Sequence, residues 1–188
     1  MIAALAVQAV VLLIAWAGLY FAGIEVLWGI HRVPVSGALG LVGALLSYWI
    51  GRAITCSHSV AGVTLRGHCE KLHRVFRHLT WWQIGALALA AGICEELLFR
   101  GFLQPWVTSV STPILGLLVA SVVFGLLHYA SFIYFAITAV MGVILGAVYW
   151  WSESLIAVVV WHGVYDFMAL AVLAKYPHLL GLQREVPV

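Results

Sequence analysis

From Pro113 to Trp151 the chain runs for 39 residues without a single Asp, Glu, Lys or Arg. At about 20 residues per crossing, a run of that length holds two membrane-spanning helices. The rest of the chain is of the same kind, with 64% hydrophobic residues, 9% charged residues and a mean hydropathy of +1.09. Those values lie far outside the soluble globular range. The expected fold is therefore all-α: a polytopic membrane helical bundle forming a single integral membrane domain over residues 1–188.

About six transmembrane helices are predicted, over residues 3–23, 37–54, 81–107, a fourth beginning at Pro113, 133–151 and 155–174. The break between the fourth and fifth is placed at 129–132. Tyr48, Trp49, Trp81, Trp82, Trp106, Trp150 and Trp151 stand near the ends of apolar runs, where amphipathic rings anchor helices at the interface. Met1 is followed directly by apolar residues without a basic n-region, so the first segment reads as a span and not as a cleavable signal. In the second span Gly43, Ser47 and Gly51 recur every four residues and form a small-residue face suited to close packing. Lys175, Tyr176 and Pro177 stop the last helix, and the tail beyond Pro177 is expected to be short and loosely ordered.

Residues 55–80 differ from the rest. Arg66, Lys71, Arg74 and Arg77 alternate with Leu65, Leu72, Val75, Phe76 and Leu79 at roughly helical spacing, which predicts an amphipathic helix on the membrane surface. His68, Cys69, Glu70 and His73 suggest a metal site at first sight. The two His are five apart, off one face, and the pattern is not HExxH, so a basic surface helix is the better reading. With Arg52, this loop holds most of the basic residues, and the positive-inside rule places it in the cytoplasm. The net charge of +2 is then a matter of topology, and no nucleic-acid partner is expected. Cys56, Cys69 and Cys94 are odd in number and have no CxxC spacing, so they read as structural.

Against this apolar background, Glu95, Glu96 and Arg100 stand inside the third span. Ionisable groups at that depth are costly and by default functional, although a structural charge cluster would also account for them. Helical neighbours point about 100° apart, while residues four apart share a face. Glu96 can therefore pair with Arg100, which leaves Glu95 with no counter-ion on its own helix, as suits a general base. The fourth span adds Phe124 and His128, with His128 toward the end of its helix. The sixth adds His162 and Asp166, again four apart on one face.

Glu95-Glu96-x-x-x-Arg100, Phe124-x-x-x-His128 and His162-x-x-x-Asp166, in that order on successive apolar segments, resemble the CPBP family. That family includes type II CAAX prenyl endopeptidases and bacteriocin-immunity-like proteins. The likeness covers residues 81–175, which would form the catalytic core. It implies that Glu95 and His128 activate a water that attacks a peptide carbonyl, while His162 and the residue at 166 stabilise the oxyanion. The family commonly has Asn where this chain has Asp166, and an ionised Asp cannot donate a hydrogen bond. Glu96, Arg100 and Phe124 would position the site, and Asp166 could hold the His162 tautomer. The expected mechanism needs no cofactor. Its alternative is a zinc site built from Glu95, His128, His162 and Asp166.

The leading expectation is an intramembrane endopeptidase, glutamate-dependent, in the bacterial inner (plasma) membrane. Its partners would be the lipid bilayer and a membrane-anchored protein or peptide substrate, such as a prenylated C-terminus, a sorting tail or a secreted-peptide leader. The alternatives are a non-catalytic membrane immunity or interaction protein and an ion or proton carrier.

Overall fold

The computed structural model describes residues 1–182, and among them every regular element is helical. Helix α1 covers Ile2–Ala22 and ends on Gly23, whose φ of 63° closes it in the left-handed conformation. Helix α2 (Val33–Cys56) follows a 3-10 turn at Ile30–Arg32. The basic segment forms α3 (Val60–Phe76), capped by the Ser59 side chain, which accepts from the Gly62 N–H. Helix α4 (Trp81–Glu96) opens on a capping box between Thr80 and Gln83. It passes into a π-helical stretch, Leu97–Leu103, and then into α5, Gln104–Val110. Helices α6 (Pro113–Leu127), α7 (Phe132–Ser152) and α8 (Leu155–Lys175) complete the bundle.

Four helical stretches are long and apolar enough to cross a membrane: Ile2–Ala22, Ile30–Cys56, Phe132–Ser152 and Leu155–Lys175. The chain is an integral membrane protein, and the remaining two expected spans depart from simple crossings. The 81–107 segment is one helical run in outline, but the π turn divides it. Helix α6 has 15 residues, a rise of about 22 Å, against a hydrocarbon core of about 30 Å. His128, its C-cap, therefore stands at an end that falls short of a full crossing. It meets Glu95 there, which stands at the C-terminal end of α4 just before the π turn.

Helix α8 occupies the middle, flanked by α2 and α4, with α6 and α7 paired beside it and α1 against α4 and the π turn. The expected small-residue face of α2 packs on α8. Gly43 lies under the Trp161 ring, and Trp161 Nε1 donates to Ser47 Oγ at 3.0 Å. At the α4–α8 crossing the obstacle is backbone, because a Cβ on Gly92 would sit 2.9 Å from the Gly163 Cα. Backbone cannot swing aside as a side chain can. Gly92→Ala is expected to lower stability by about 1–3 kcal/mol, read as a lower unfolding midpoint in detergent. An unchanged midpoint would count against so tight a crossing.

The amphipathic helix α3 lays one face on the bundle: Leu65 is buried, His73 Nδ1 bonds the Leu173 carbonyl at 2.7 Å, and His68 Nε2 bonds Ser131 Oγ at 3.0 Å. His68 and His73 therefore face separate partners. One expectation needs correction: the tail beyond Pro177 is not loose at its start but tied down by a 3-10 turn at Pro177–Leu180 and by burial of Leu180 and Leu182. Residues 183–188 lie outside the described part. Cys56, Cys69 and Cys94 are free thiols.

Candidate active site

Glu95 and Glu96 diverge from the end of α4, and their surroundings differ accordingly. Glu96 is fully buried. Its Oε1 accepts from Arg100 Nη1 at 2.6 Å and from His162 Nδ1 at 2.7 Å. Arg100, 1% exposed, also donates from Nη2 to the Gly142 carbonyl at 3.0 Å and lies over the Phe124 ring at 4.8 Å. A buried guanidinium thus has a carboxylate, a carbonyl and a π face, the partners such a charge requires in an apolar interior.

Glu95 has no cationic partner on its own helix, as the spacing predicts. Its Oε1 accepts from Gln8 Nε2 at 2.7 Å. The other oxygen, Oε2, is buried without a hydrogen-bond partner. It lies 3.5 Å from His128 Nε2 and 3.9 Å from His162 Nε2. Asp166 Oδ2 lies 3.5 Å from the same His162 nitrogen. Residues from α4, α6 and α8 therefore converge around one unpartnered carboxylate oxygen.

The second nitrogens fix the roles of the imidazoles. His128 Nδ1 faces the Phe124 carbonyl at 2.8 Å. A carbonyl can only accept, so Nδ1 carries the proton, and in the neutral ring Nε2 presents a lone pair toward Glu95. His162 Nδ1 is held by Glu96 and not by Asp166, which revises the expected tautomer device. The Phe124 ring centroid is 4.5 Å from that of His128 and 5.9 Å from that of His162, so one aromatic side chain supports both.

Sequence reasoning missed two residues. Gln8 comes from α1, which carried no expected site residue. It is the one amide in a 21-residue apolar helix, and that isolation was the available signal. Gln104, buried beyond the π turn, donates to the Gly146 carbonyl at 3.1 Å and fastens α5 to α7. A cavity of about 110 Å³ opens beside His128, His162 and Asp166, with Tyr134, Tyr165 and Met141 in its wall. Waters take about 30 Å³ each, so it has room for solvent.

Residues 77–168 match the family model of the type II CAAX prenyl endopeptidase Rce1-like proteins. That match spans just under half of the chain. No curated protein and no solved structure matches the chain. The Rce1-like segment contains all seven residues singled out from the sequence, whereas Gln8 lies outside it. Zinc would need its donors gathered at about 2 Å around one point. Among the described residues no three His, Cys, Asp or Glu side chains are so gathered. The choice between a metal-free site and a zinc site built from Glu95, His128, His162 and Asp166 rests on chelation.

Proposed function

We propose that this chain is a membrane-embedded endopeptidase of the CAAX type, in which Glu95 and His128 activate a water and His162 stabilises the oxyanion. The observation that carries the reading is the buried, unpartnered Glu95 Oε2 facing two imidazole Nε2 atoms. Two acceptors 3.5 Å apart suit a water that donates one hydrogen to Glu95 Oε2 and the other to His128 Nε2. Glu95 takes the first proton as the water oxygen attacks the scissile carbonyl, and returns it to the leaving amine as the tetrahedral intermediate collapses.

His162 already commits Nδ1–H to Glu96. A second proton, on Nε2, makes it the imidazolium that donates to the developing oxyanion. Asp166, close to that nitrogen, balances the charge without needing to donate, so Asp serves where relatives of the CPBP type commonly carry Asn. The catalytic core, residues 81–175, then works with one outside support, Gln8. The substrate is a membrane-associated peptide segment, a prenylated C-terminus by the family's description, and the setting is a bacterial inner membrane.

Purified chain in proteoliposomes is expected to cleave a farnesylated peptide ending in a CAAX sequence, with products identified by mass spectrometry. Cleavage is expected to persist in EDTA and in phenanthroline. Loss of activity with either chelator, restored by zinc, would replace the metal-free mechanism. No cleavage of prenylated, sorting-tail or leader peptides would remove the protease reading itself.

Gln8→Leu tests the support from α1. Losing a hydrogen bond to a charged group costs about 1.5–3 kcal/mol, which corresponds to roughly a 10- to 100-fold fall in kcat/KM. The loss is expected in kcat, with KM little changed, since Gln8 touches Glu95 and not the substrate. A fall confined to KM would argue that Gln8 lines the binding path instead.

A further inference from the structure

The catalytic cavity holds more polar groups than the mechanism above uses. Besides the residues already given roles, its wall carries Tyr134, Thr138, Trp161 and Tyr165. Two of these have spent their donors: Thr138 Oγ1 donates to the Tyr134 carbonyl at 2.9 Å, and Trp161 Nε1 to Ser47. The hydroxyls of Tyr134 and Tyr165 make no hydrogen bond among the described residues. A phenol in a largely apolar site ordinarily finds a partner, so each is a donor in reserve.

The two are placed differently. Tyr165 reaches across to α2, where a Cβ on Gly51 would sit 3.6 Å from its hydroxyl, on the side of α8 away from α4 and Glu95. Tyr134 stands in the first turn of α7, and Thr138 and Met141, four and seven residues on, line the same cavity. Gly125 of α6 packs against Phe135 and Ala139 of α7, which runs back along it. Three residues onward on α6 and three back on α7, about 4.5 Å each, bring His128 level with Tyr134. The Tyr134 ring is held from α3. Its centroid is 5.7 Å from that of His68, whose Nε2 bonds the Ser131 Oγ that also accepts from the Tyr134 N–H.

In acyl transfer, donors aimed at the oxygen where charge develops supply much of the rate. His162 Nε2 is one such donor. Asp166, the other polar group beside it, can only accept when ionised. His128 commits Nδ1 to the Phe124 carbonyl and turns Nε2 toward Glu95 and the water. Tyr134 is then the group on this wall with a proton to offer at the level of the reaction.

Building on the protease reading above, we infer that the Tyr134 hydroxyl is the second donor to the oxyanion, beside His162 Nε2. As the water oxygen bonds to the scissile carbon, the carbonyl π pair moves onto oxygen, and the Tyr134 O–H donates to it. The phenol keeps its proton throughout. Its hydrogen bond weakens again when the intermediate collapses and the C–N bond breaks. Tyr134 thus supplies the donation that an ionised side chain at 166 cannot, and Asp166 is left to balance the imidazolium.

The test measures cleavage of the farnesylated CAAX peptide by purified chain in proteoliposomes. Tyr134→Phe is expected to lower kcat by about 10²-fold, the effect of losing one oxyanion donor, with KM and the unfolding midpoint nearly unchanged. Tyr165→Phe is expected to leave both kinetic constants near wild type. A second readout needs no turnover: the Kd of a farnesylated phosphinate peptide, whose tetrahedral P–O⁻ stands in for the oxyanion. Tyr134→Phe is expected to weaken that binding by at least ~10-fold, and by as much in an Asp166→Ala background. In an Asp166→Asn background, where the amide can donate, the loss is expected to shrink to within about threefold. Wild-type kcat in Tyr134→Phe, or a loss confined to KM, would overturn the inference and leave the protease reading standing. So would a loss that follows Tyr165→Phe instead. A phosphinate effect that vanishes in Asp166→Ala would make Tyr134 a support for Asp166 and no donor to the oxyanion. One undiminished in Asp166→Asn would likewise count against it. Cleavage of no peptide by the wild type would remove the protease reading and this donor with it.

Discussion

Glu95→Gln is expected to abolish peptide cleavage while leaving the fold intact. The substitution keeps the shape of the side chain and can keep the Gln8 contact, since the amide oxygen still accepts at 2.7 Å from Gln8 Nε2. What it removes is the basic oxygen that faces His128 and His162. A positioned general base contributes about 10²- to 10⁴-fold to rate, so kcat is expected to fall by at least that range, with an unfolding midpoint close to wild type. Replacing a buried, partly unsatisfied carboxylate by a neutral amide relieves a desolvation cost, so a small gain in stability would agree with the same account. Cleavage within a few-fold of wild type would move the chemistry to another group.

The second large effect concerns the pair beneath the site. Arg100→Met leaves the Glu96 carboxylate in an apolar interior with only His162 beside it, and losing one partner of a buried ion pair costs about 3–5 kcal/mol. The unfolding midpoint in detergent is expected to drop sharply, or the variant to fail to accumulate in the membrane. Removing both charges is different. In Glu96→Met combined with Arg100→Met no uncompensated charge remains, and apolar replacements of similar volume are often neutral in stability. The double variant is expected to recover most of the lost stability without recovering cleavage, because His162 Nδ1 has lost the oxygen that holds it. A double variant as active as wild type would make Glu96 and Arg100 a purely structural pair. One as unstable as the single variant would show that the Gly142 and Phe124 contacts of Arg100 outweigh its ion pair.

Several features of the site were legible in one dimension because helical geometry is local. The 100° turn between adjacent residues separates Glu95 from Glu96, and the four-residue spacing pairs Glu96 with Arg100 and sets His162 beside Asp166. Periodicity likewise exposed the face of Gly43 and Ser47 that meets α8. Features that depend on contacts between distant segments were not legible. Gln8 and Glu95 are 87 residues apart, and Glu96 and His162 are 66 apart. Spacing rules reach about one turn, so Asp166 was the nearest available partner for His162, although Glu96 is the one that holds its Nδ1.

By itself, then, the amino-acid order determined that the chain lies in a bilayer, since runs such as 113–151 have no soluble use, and it determined which polar side chains each helix contributes. The tertiary structure decided how those contributions meet. The π turn at Leu97–Leu103 and the short α6, which stops at Leu127, depend on packing among helices and leave no mark in composition. They bring His128 to Glu95 Oε2, turn His162 Nδ1 to Glu96, and leave one buried carboxylate oxygen without a partner. Hydropathy places charges at a depth in the membrane, but only the close packing of α4 against α8 and α6 against α7 puts them within a few ångströms of one another.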